Sequence, residues 1–187
     1  MLSIKHFFTF ALSTSAIALG TAEIAFAAKG HSHGKANFDI ALDANTVRIV
    51  SEIPLESVVG FERVPRNEAD TAKVKAAAVL LRNADRLFTF SEGANCKSKQ
   101  TELTSSALDG ALLGGTPKAA AAAPASDAHI DVDAVWVFQC DKPEALKSIT
   151  INAFDDFKSL KVIQVKVVGG KRQAGARLTA SSRKVSW

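Results

Sequence analysis

The sequence has few of the residues on which metal and enzyme chemistry most often depend, with four histidines and two cysteines among 187 residues. It contains no G-x-S-x-G motif, no H-E-x-x-H motif and no cysteine–histidine pair suited to nucleophilic catalysis. Beyond residue 27 it has no run of about 20 apolar residues, which a membrane-spanning helix needs. We therefore expect neither an enzyme nor a membrane-embedded protein.

A nucleic-acid-binding motif is also lacking, although the formal net charge is +4. The basic residues are scattered except near the C-terminus, where they have no aromatic residues between them. The pattern favours a solvated tail over a DNA site. The clustered residues are Lys171, Arg172, Arg177, Arg183 and Lys184.

Residues 1–27 have the features of a secretory signal peptide. Lys5 and His6 form a modest basic start, residues 7–19 are mostly apolar, and Ala25-Phe26-Ala27 is an A-x-A cleavage site. An uncleaved anchor is the alternative, but the apolar stretch is short for a membrane span. We expect an exported protein whose residues 28–187 form a single domain.

The two cysteines, Cys96 and Cys140, both lie in the expected exported part. An even count in an oxidising compartment favours a disulfide, which would stabilise the fold by about 4 kcal/mol in the chain-entropy model. The competing interpretation is a pair of zinc-binding thiolates. Structural zinc sites usually use close C-x-x-C pairs, which are absent here, so the disulfide is preferred.

Hydrophobic periodicity predicts several strands and one confident helix. Residues 38–50 form a hairpin pattern, and Asn67 can cap a helix that continues to about Asn83. On this helix the apolar face is expected to contain Ala69, Ala72, Ala76, Val79 and Leu80. Further strands are predicted at 87–90, 97–105, 129–140, 148–154 and 161–168, with a last one at 177–180.

A low-complexity segment rich in alanine, glycine and proline, at residues 107–126, is predicted to be a flexible loop within the domain. Strands that follow one another through short connections favour antiparallel pairing. The expected fold is thus α+β, a mostly antiparallel sheet covered by one long amphipathic helix, in a single domain.

Histidine is the residue whose placement indicates function. His31 and His33 are one residue apart, so an extended chain would point both imidazoles to the same side. His129 and Asp131 begin the best predicted strand on its polar face. Together these four side chains would give zinc three nitrogens and one oxygen in a tetrahedral set.

Each of these residues also has an interpretation that involves no metal. The His31/His33 pair is also consistent with a frayed, solvated terminus, and His129 is equally consistent with a polar residue at the solvent-exposed end of a strand. Asp133, Glu56 and Glu62 are reserve carboxylates, each of which on its own is expected to be an ordinary solvated acid.

A copper or nickel site is a further alternative. Cleavage after Ala28 would expose Lys29-Gly30-His31, whose amine, amides and imidazole suit square-planar coordination.

The order of several short motifs resembles the periplasmic zinc-binding ZrgA-like proteins of Gram-negative bacteria. The resemblance rests on residues 31–34, on Val59-Gly60-Phe61-Glu62 before a proline and a helix, on Cys96, and on the segments 129–140 and 154–160. This chain differs where members often have a histidine directly after Gly-Phe-Glu, because it has Arg63. It also has alanine and proline where many members have a histidine-rich insert.

The resemblance implies a periplasmic zinc-binding accessory protein that buffers zinc or delivers it to an uptake system, with a component of that system as partner. A periplasmic interaction or structural protein that binds no specific metal is the alternative from another functional class. The sequence predicts no oligomeric state.

Overall fold

The computed structural model describes residues 33–117, 129–170 and 172–187. The predicted signal peptide, His31, and residues 118–126 of the predicted flexible loop lie outside the described residues. No helix within the described ranges is both long and apolar enough to cross a membrane.

The described residues form nine strands and four α-helices. The strands are β1 (Lys35–Asp43), β2 (Thr46–Pro54), β3 (Phe88–Phe90), β4 (Cys96–Thr104), β5 (Asp131–Cys140), β6 (Ser148–Ile151), β7 (Val162–Gly169), β8 (Arg172–Leu178) and β9 (Lys184–Ser186). The helices are α1 (Leu55–Val59), α2 (Glu68–Arg82), α3 (Ala84–Leu87) and α4 (Ala153–Asp156). Within the predicted flexible loop, Gly110–Leu113 form a 3-10 helix.

Two sheets organise the domain. A six-stranded sheet has the order β4-β5-β2-β1-β7-β8, and a three-stranded sheet has the order β3-β6-β9. Every neighbouring pair is antiparallel except β1 and β7, which run parallel. The prediction of a single α+β domain with a mostly antiparallel sheet is therefore confirmed.

The predicted hairpin is confirmed as β1 and β2. Asp43 pairs with Thr46, which leaves Ala44 and Asn45 as a two-residue turn. Ala44 has a φ of 49°, in the left-handed region that such tight hairpin turns require. Phe38 and Ile49 are among the apolar residues that this register places on the buried face.

Strand β5 carries the centre of the core. Its alternate residues from Val132 to Cys140 are all buried, as the sequence pattern predicts. The Trp136 ring stacks on Phe38 and meets Phe88 edge-on, with ring centroids 5.8 and 5.0 Å apart. Its Nε1 donates a hydrogen bond to the Leu81 carbonyl oxygen, so the indole joins the sheet to α2.

Helix α2 begins and ends where the sequence predicts, and the other helices are short. Helix α2 has 15 residues and the other three have four or five, so one long amphipathic helix covering the sheet is not what the described residues show. Asn67 caps α2 as predicted, accepting a hydrogen bond from the Asp70 amide.

The predicted apolar face of α2 is wrong except at Leu80, which is partly buried against the core. Ala69, Ala72 and Ala76 are exposed, as is Val79, at 69%. The buried face consists of Asp70, Val74, Ala77, Ala78 and Leu81. Alanine has too little apolar surface to decide which side faces the core, so the larger Val74 and Leu81 and the hydrogen-bonded Asp70 determine it.

The basic C-terminal region is not a solvated tail. Strand β8 pairs with β7 along seven residues, and β9 pairs with β6. Leu178 and Val185 are buried, which supplies the apolar contact that fixes these strands. Lys171 lies outside the described residues.

Cys96 and Cys140 form a disulfide between directly opposed residues of β4 and β5. The disulfide interpretation is thus confirmed and the zinc-thiolate alternative is wrong. The bridge lies at the end of β5 opposite to His129.

Candidate histidine–carboxylate site

The antiparallel pairing of β2 brings the candidate residues to one edge of the large sheet. Both β1 and β5 are antiparallel to β2, so both begin where β2 ends. Pro54, the last residue of β2, lies opposite Asp131, the first residue of β5. His33 precedes β1 and His129 precedes β5, and this topology therefore places both histidines near the end of β2.

The chain beyond β2 supplies two carboxylates at the same edge. The Leu55 amide donates to the Ile130 carbonyl oxygen at 2.7 Å, which holds the start of α1 beside residue 129. Glu56 is the second residue of α1. Gly60, with a φ of 83°, ends the helix in the left-handed conformation and turns the chain into the segment that contains Glu62.

Glu62 contacts both histidines. Its Oε1 forms a hydrogen bond with His129 Nδ1, and its Oε2 lies 3.8 Å from His33 Nδ1. Glu56 Oε2 lies 3.7 Å from the same nitrogen of His33. We call these four residues, His33, Glu56, Glu62 and His129, the histidine–carboxylate cluster.

The cluster is open to solvent on its histidine side. The side chains of His33 and His129 are 67% and 40% exposed, whereas those of Glu56 and Glu62 are 25% and 22% exposed. Glu56 Oε2 itself is buried and has no hydrogen-bond donor within the described part of the chain. A buried carboxylate oxygen without a donor favours a cation, and here it faces an exposed imidazole.

The positions of these side chains shift the pKa values of His129 and Asp133. The hydrogen bond that His129 donates to Glu62, and the negative charge of that carboxylate, raise the pKa of His129 above its usual value; desolvation opposes this, and Asp131 makes the smallest contribution in the raising direction. Burial raises the pKa of Asp133, and the neighbouring charges of Asp131 and Glu52 act in the same direction.

The structure brings together only part of the predicted ligand set. His33 and His129 converge, and Asp131 acts on His129 through its charge. His31 lies outside the described residues. Sequence reasoning treated Glu56 and Glu62 as ordinary acids because each one is unremarkable by itself, and only the fold places them beside the histidines.

The donor types of the cluster suit zinc, although the cluster is not in a metal-coordinating geometry. Across the described ranges, no three or more His, Cys, Asp or Glu side chains are arranged as a metal site. The distances of 3.7 and 3.8 Å from His33 Nδ1 to the two glutamates are instead too long for coordination of one ion without movement. Zinc accepts imidazole nitrogen and carboxylate oxygen at about 2.0 to 2.2 Å, so binding would require these side chains to draw inward.

Fold and cluster together define a disulfide-bonded α+β domain with a histidine–carboxylate site at one edge of its main sheet. The chain belongs to the ZrgA family of zinc uptake proteins, whose sequence model matches residues 30–187. That match includes all nine strands and the whole cluster. Among curated proteins, none matches the chain.

Membership of this family relates the protein to zinc uptake. The family and the disulfide together indicate an exported protein, because structural disulfides persist in oxidising compartments.

Proposed function

We propose that the protein binds zinc as cargo at the histidine–carboxylate cluster and buffers it for, or delivers it to, a zinc uptake system in the periplasm. The observation that supports this proposal is the convergence of His33 and His129, from segments remote in sequence, on the carboxylate of Glu62. Residues 1–27 would be the signal peptide that directs export.

The contacts suggest which atoms would hold the ion. Neutral imidazole and ionised carboxylate are the forms that bind zinc, so the metal would replace the proton shared between His129 and Glu62. The second oxygen of Glu62 faces His33, and the buried Oε2 of Glu56 faces it too. Asp131 adds negative charge nearby and can serve as a further ligand.

The exposure of the histidines favours exchange over permanent retention. A structural zinc is usually enclosed by four protein ligands, whereas here the most exposed donor side chain is 67% accessible. An accessible ion can be transferred directly to another protein. The role we propose is binding and transfer without catalysis, and no nucleic acid is involved.

Equilibrium dialysis of the exported protein against zinc tests the proposal. We expect about one bound zinc per chain, and a loss of at least tenfold in affinity for His129→Ala, which removes a ligand nitrogen, and for Glu62→Gln, which replaces an anionic carboxylate by a neutral amide. Glu144→Gln is the matched control because Glu144 is an exposed acid in the 3-10 helix that follows β5. It should bind as the wild type does.

The double variant His31→Ala/His33→Ala separates the alternatives. Loss of zinc only in this variant, with His129→Ala unaffected, would favour the N-terminal histidines alone. Preferential retention of copper or nickel by a chain that begins at Lys29 would favour the square-planar terminus. Absence of any bound zinc would contradict the proposal and favour an interaction protein whose histidines form ordinary ion pairs.

A further inference from the structure

Glu62, which contacts both histidines, lies on an irregular segment and not on a strand or helix. This Glu62 segment, residues 60–66, lies between the end of α1 and Asn67, the N-cap of α2. Hydrogen bonding within regular secondary structure does not hold it in place. The position of the Glu62 carboxylate therefore depends on side-chain contacts to either side of it.

Asp70, in the first turn of α2, makes contacts of this kind. It is 7% exposed, and only Ser51, Ser57 and Asp70 are classed as buried polar residues in the described part of the chain. Its Oδ2 accepts a hydrogen bond from Arg63 Nη1 at 2.5 Å and another from the Arg66 amide at 3.1 Å. One carboxylate oxygen thus holds the Glu62 segment at two points.

Arg63 extends this restraint to the residues that flank Glu62. Its guanidinium carbon lies 4.7 Å from the centroid of the Phe61 ring, within the range of a cation–π contact. Phe61 is partly buried against the core. The neighbours of Glu62 on both sides are therefore fixed, Phe61 by the core and Arg63 by Asp70.

We propose that Asp70 is a positioning residue for zinc binding: through Arg63 and the Arg66 amide it holds Glu62 against His33 and His129. This inference rests on the proposed function. When the backbone that carries a ligand is held in place before the metal arrives, only the side chains have to draw inward, so less conformational entropy is lost on binding and the restraint raises affinity. The hydrogen bond from Arg63 lowers the pKa of Asp70, which keeps the carboxylate ionised at neutral pH.

The ion pair between Arg86 and Asp156 provides a matched comparison. It is a bidentate arginine–aspartate pair with contacts of 2.8 and 2.6 Å, joining α3 to α4, and neither residue contacts the cluster. Asp70→Ala and Asp156→Ala each remove one aspartate from an arginine. A general loss of stability would lower zinc affinity in both variants. A positioning effect would lower zinc affinity only in Asp70→Ala.

The experiment measures zinc affinity by competition with a chelating dye, together with hydrogen exchange of residues 60–66 in the metal-free protein. For Asp70→Ala we expect faster exchange and a loss in affinity of about 10- to 100-fold, the range found for residues that support metal ligands. Asp156→Ala should retain wild-type affinity. Arg63→Gln, a milder change at a partly exposed side chain, should give a smaller loss in the same direction.

The outcomes distinguish this inference from the proposed function. Faster exchange at 60–66 in Asp70→Ala with wild-type zinc affinity would overturn the positioning role and leave the zinc site intact. Hydrogen exchange at residues 60–66 that is unchanged in Asp70→Ala would also overturn the positioning role. If Asp70→Ala does not fold, Arg63→Gln decides, since unaltered affinity in that variant would contradict the inference. Wild-type protein that binds no zinc would instead contradict the proposed function, and exchange alone would then report whether Asp70 holds the segment.

Discussion

The imidazole rings of His33 and His129 lie edge-to-face, with their centroids 6.4 Å apart and their planes at 72°. Glu62 contacts both of them through different carboxylate oxygens. The two imidazoles thus share one carboxylate, which stabilises a proton on His129. Zinc bound here as proposed would compete with that proton.

The pKa of His129 gives a prediction about stability and pH. It is raised above the unfolded value of 6.5, first by the hydrogen bond that His129 donates to Glu62 and then by the charge of Glu62. The folded protein therefore binds this proton more tightly, so the stabilisation is complete below about pH 6.5 and is lost as pH rises through the folded pKa. The difference in Tm between wild type and His129→Gln, measured without metal, should shrink as the pH rises. A difference that grows with pH would contradict the assignment.

Gly34 should be intolerant of a side chain. Its φ is +71°, and a Cβ added there would lie 2.7 Å from the Ser159 carbonyl oxygen. We expect Gly34→Ala to lower the free energy of unfolding by about 1–3 kcal/mol in urea denaturation. Gly170→Ala is the matched control, because Gly170 has a φ of +55° and open space around it. An equal loss in both variants would show that the contact with Ser159 contributes nothing.

Removal of the disulfide should affect stability and leave zinc binding unchanged. The bridge closes a sequence separation of 44 and lies at the end of β5 opposite to the cluster. Cys96→Ser/Cys140→Ser is expected to lower the free energy of unfolding by about 2–4 kcal/mol, because the unfolded chain gains freedom. Zinc affinity of the double variant, measured well below its Tm, should match that of the wild type. A large fall in affinity would mean that the bridge acts on the site.

The two tryptophans offer a test of the core hydrogen bond. Trp136 is fully buried and donates to the Leu81 carbonyl oxygen, whereas Trp187 Nε1 has no acceptor within the ranges described. Trp136→Phe should lower the free energy of unfolding by about 2–4 kcal/mol, since it leaves both a cavity and an unpaired carbonyl oxygen. Trp187→Phe should lower the free energy of unfolding by much less. Urea denaturation followed by circular dichroism measures both, and equal losses would contradict the role of the hydrogen bond.

The sequence predicted those parts of the fold in which large apolar residues alternate or recur. Strand β5 and the hairpin of β1 and β2 are of this kind, because their buried residues have strong burial free energies. The face of α2 was predicted wrongly, since alanines at Ala69, Ala72 and Ala76 matched the helical period without specifying burial. Strand β8 was largely missed because its small residues, such as Ala174 and Gly175, resemble a loop.

The site was less accessible to prediction than the fold. The two histidine-bearing segments could be identified from the spacing of His31 and His33 and from the polar start of β5. Glu56 and Glu62 could not be identified as part of the site, because their place beside the histidines depends on where β2 ends relative to β1 and β5. Such long-range pairing is set by the whole sheet, and no local pattern around either glutamate records it.

The parallel pairing of β1 with β7 has a consequence for the order in which the molecule is completed. Gly34, next to His33, accepts hydrogen bonds from the amides of Lys161 and Val162. A chain emerging N-terminus first from a ribosome or translocon therefore exposes His33 early, yet cannot seat it until more than 120 further residues have followed. The backbone beside His33 therefore acquires these contacts only after the β1–β2 hairpin and β5 have been made.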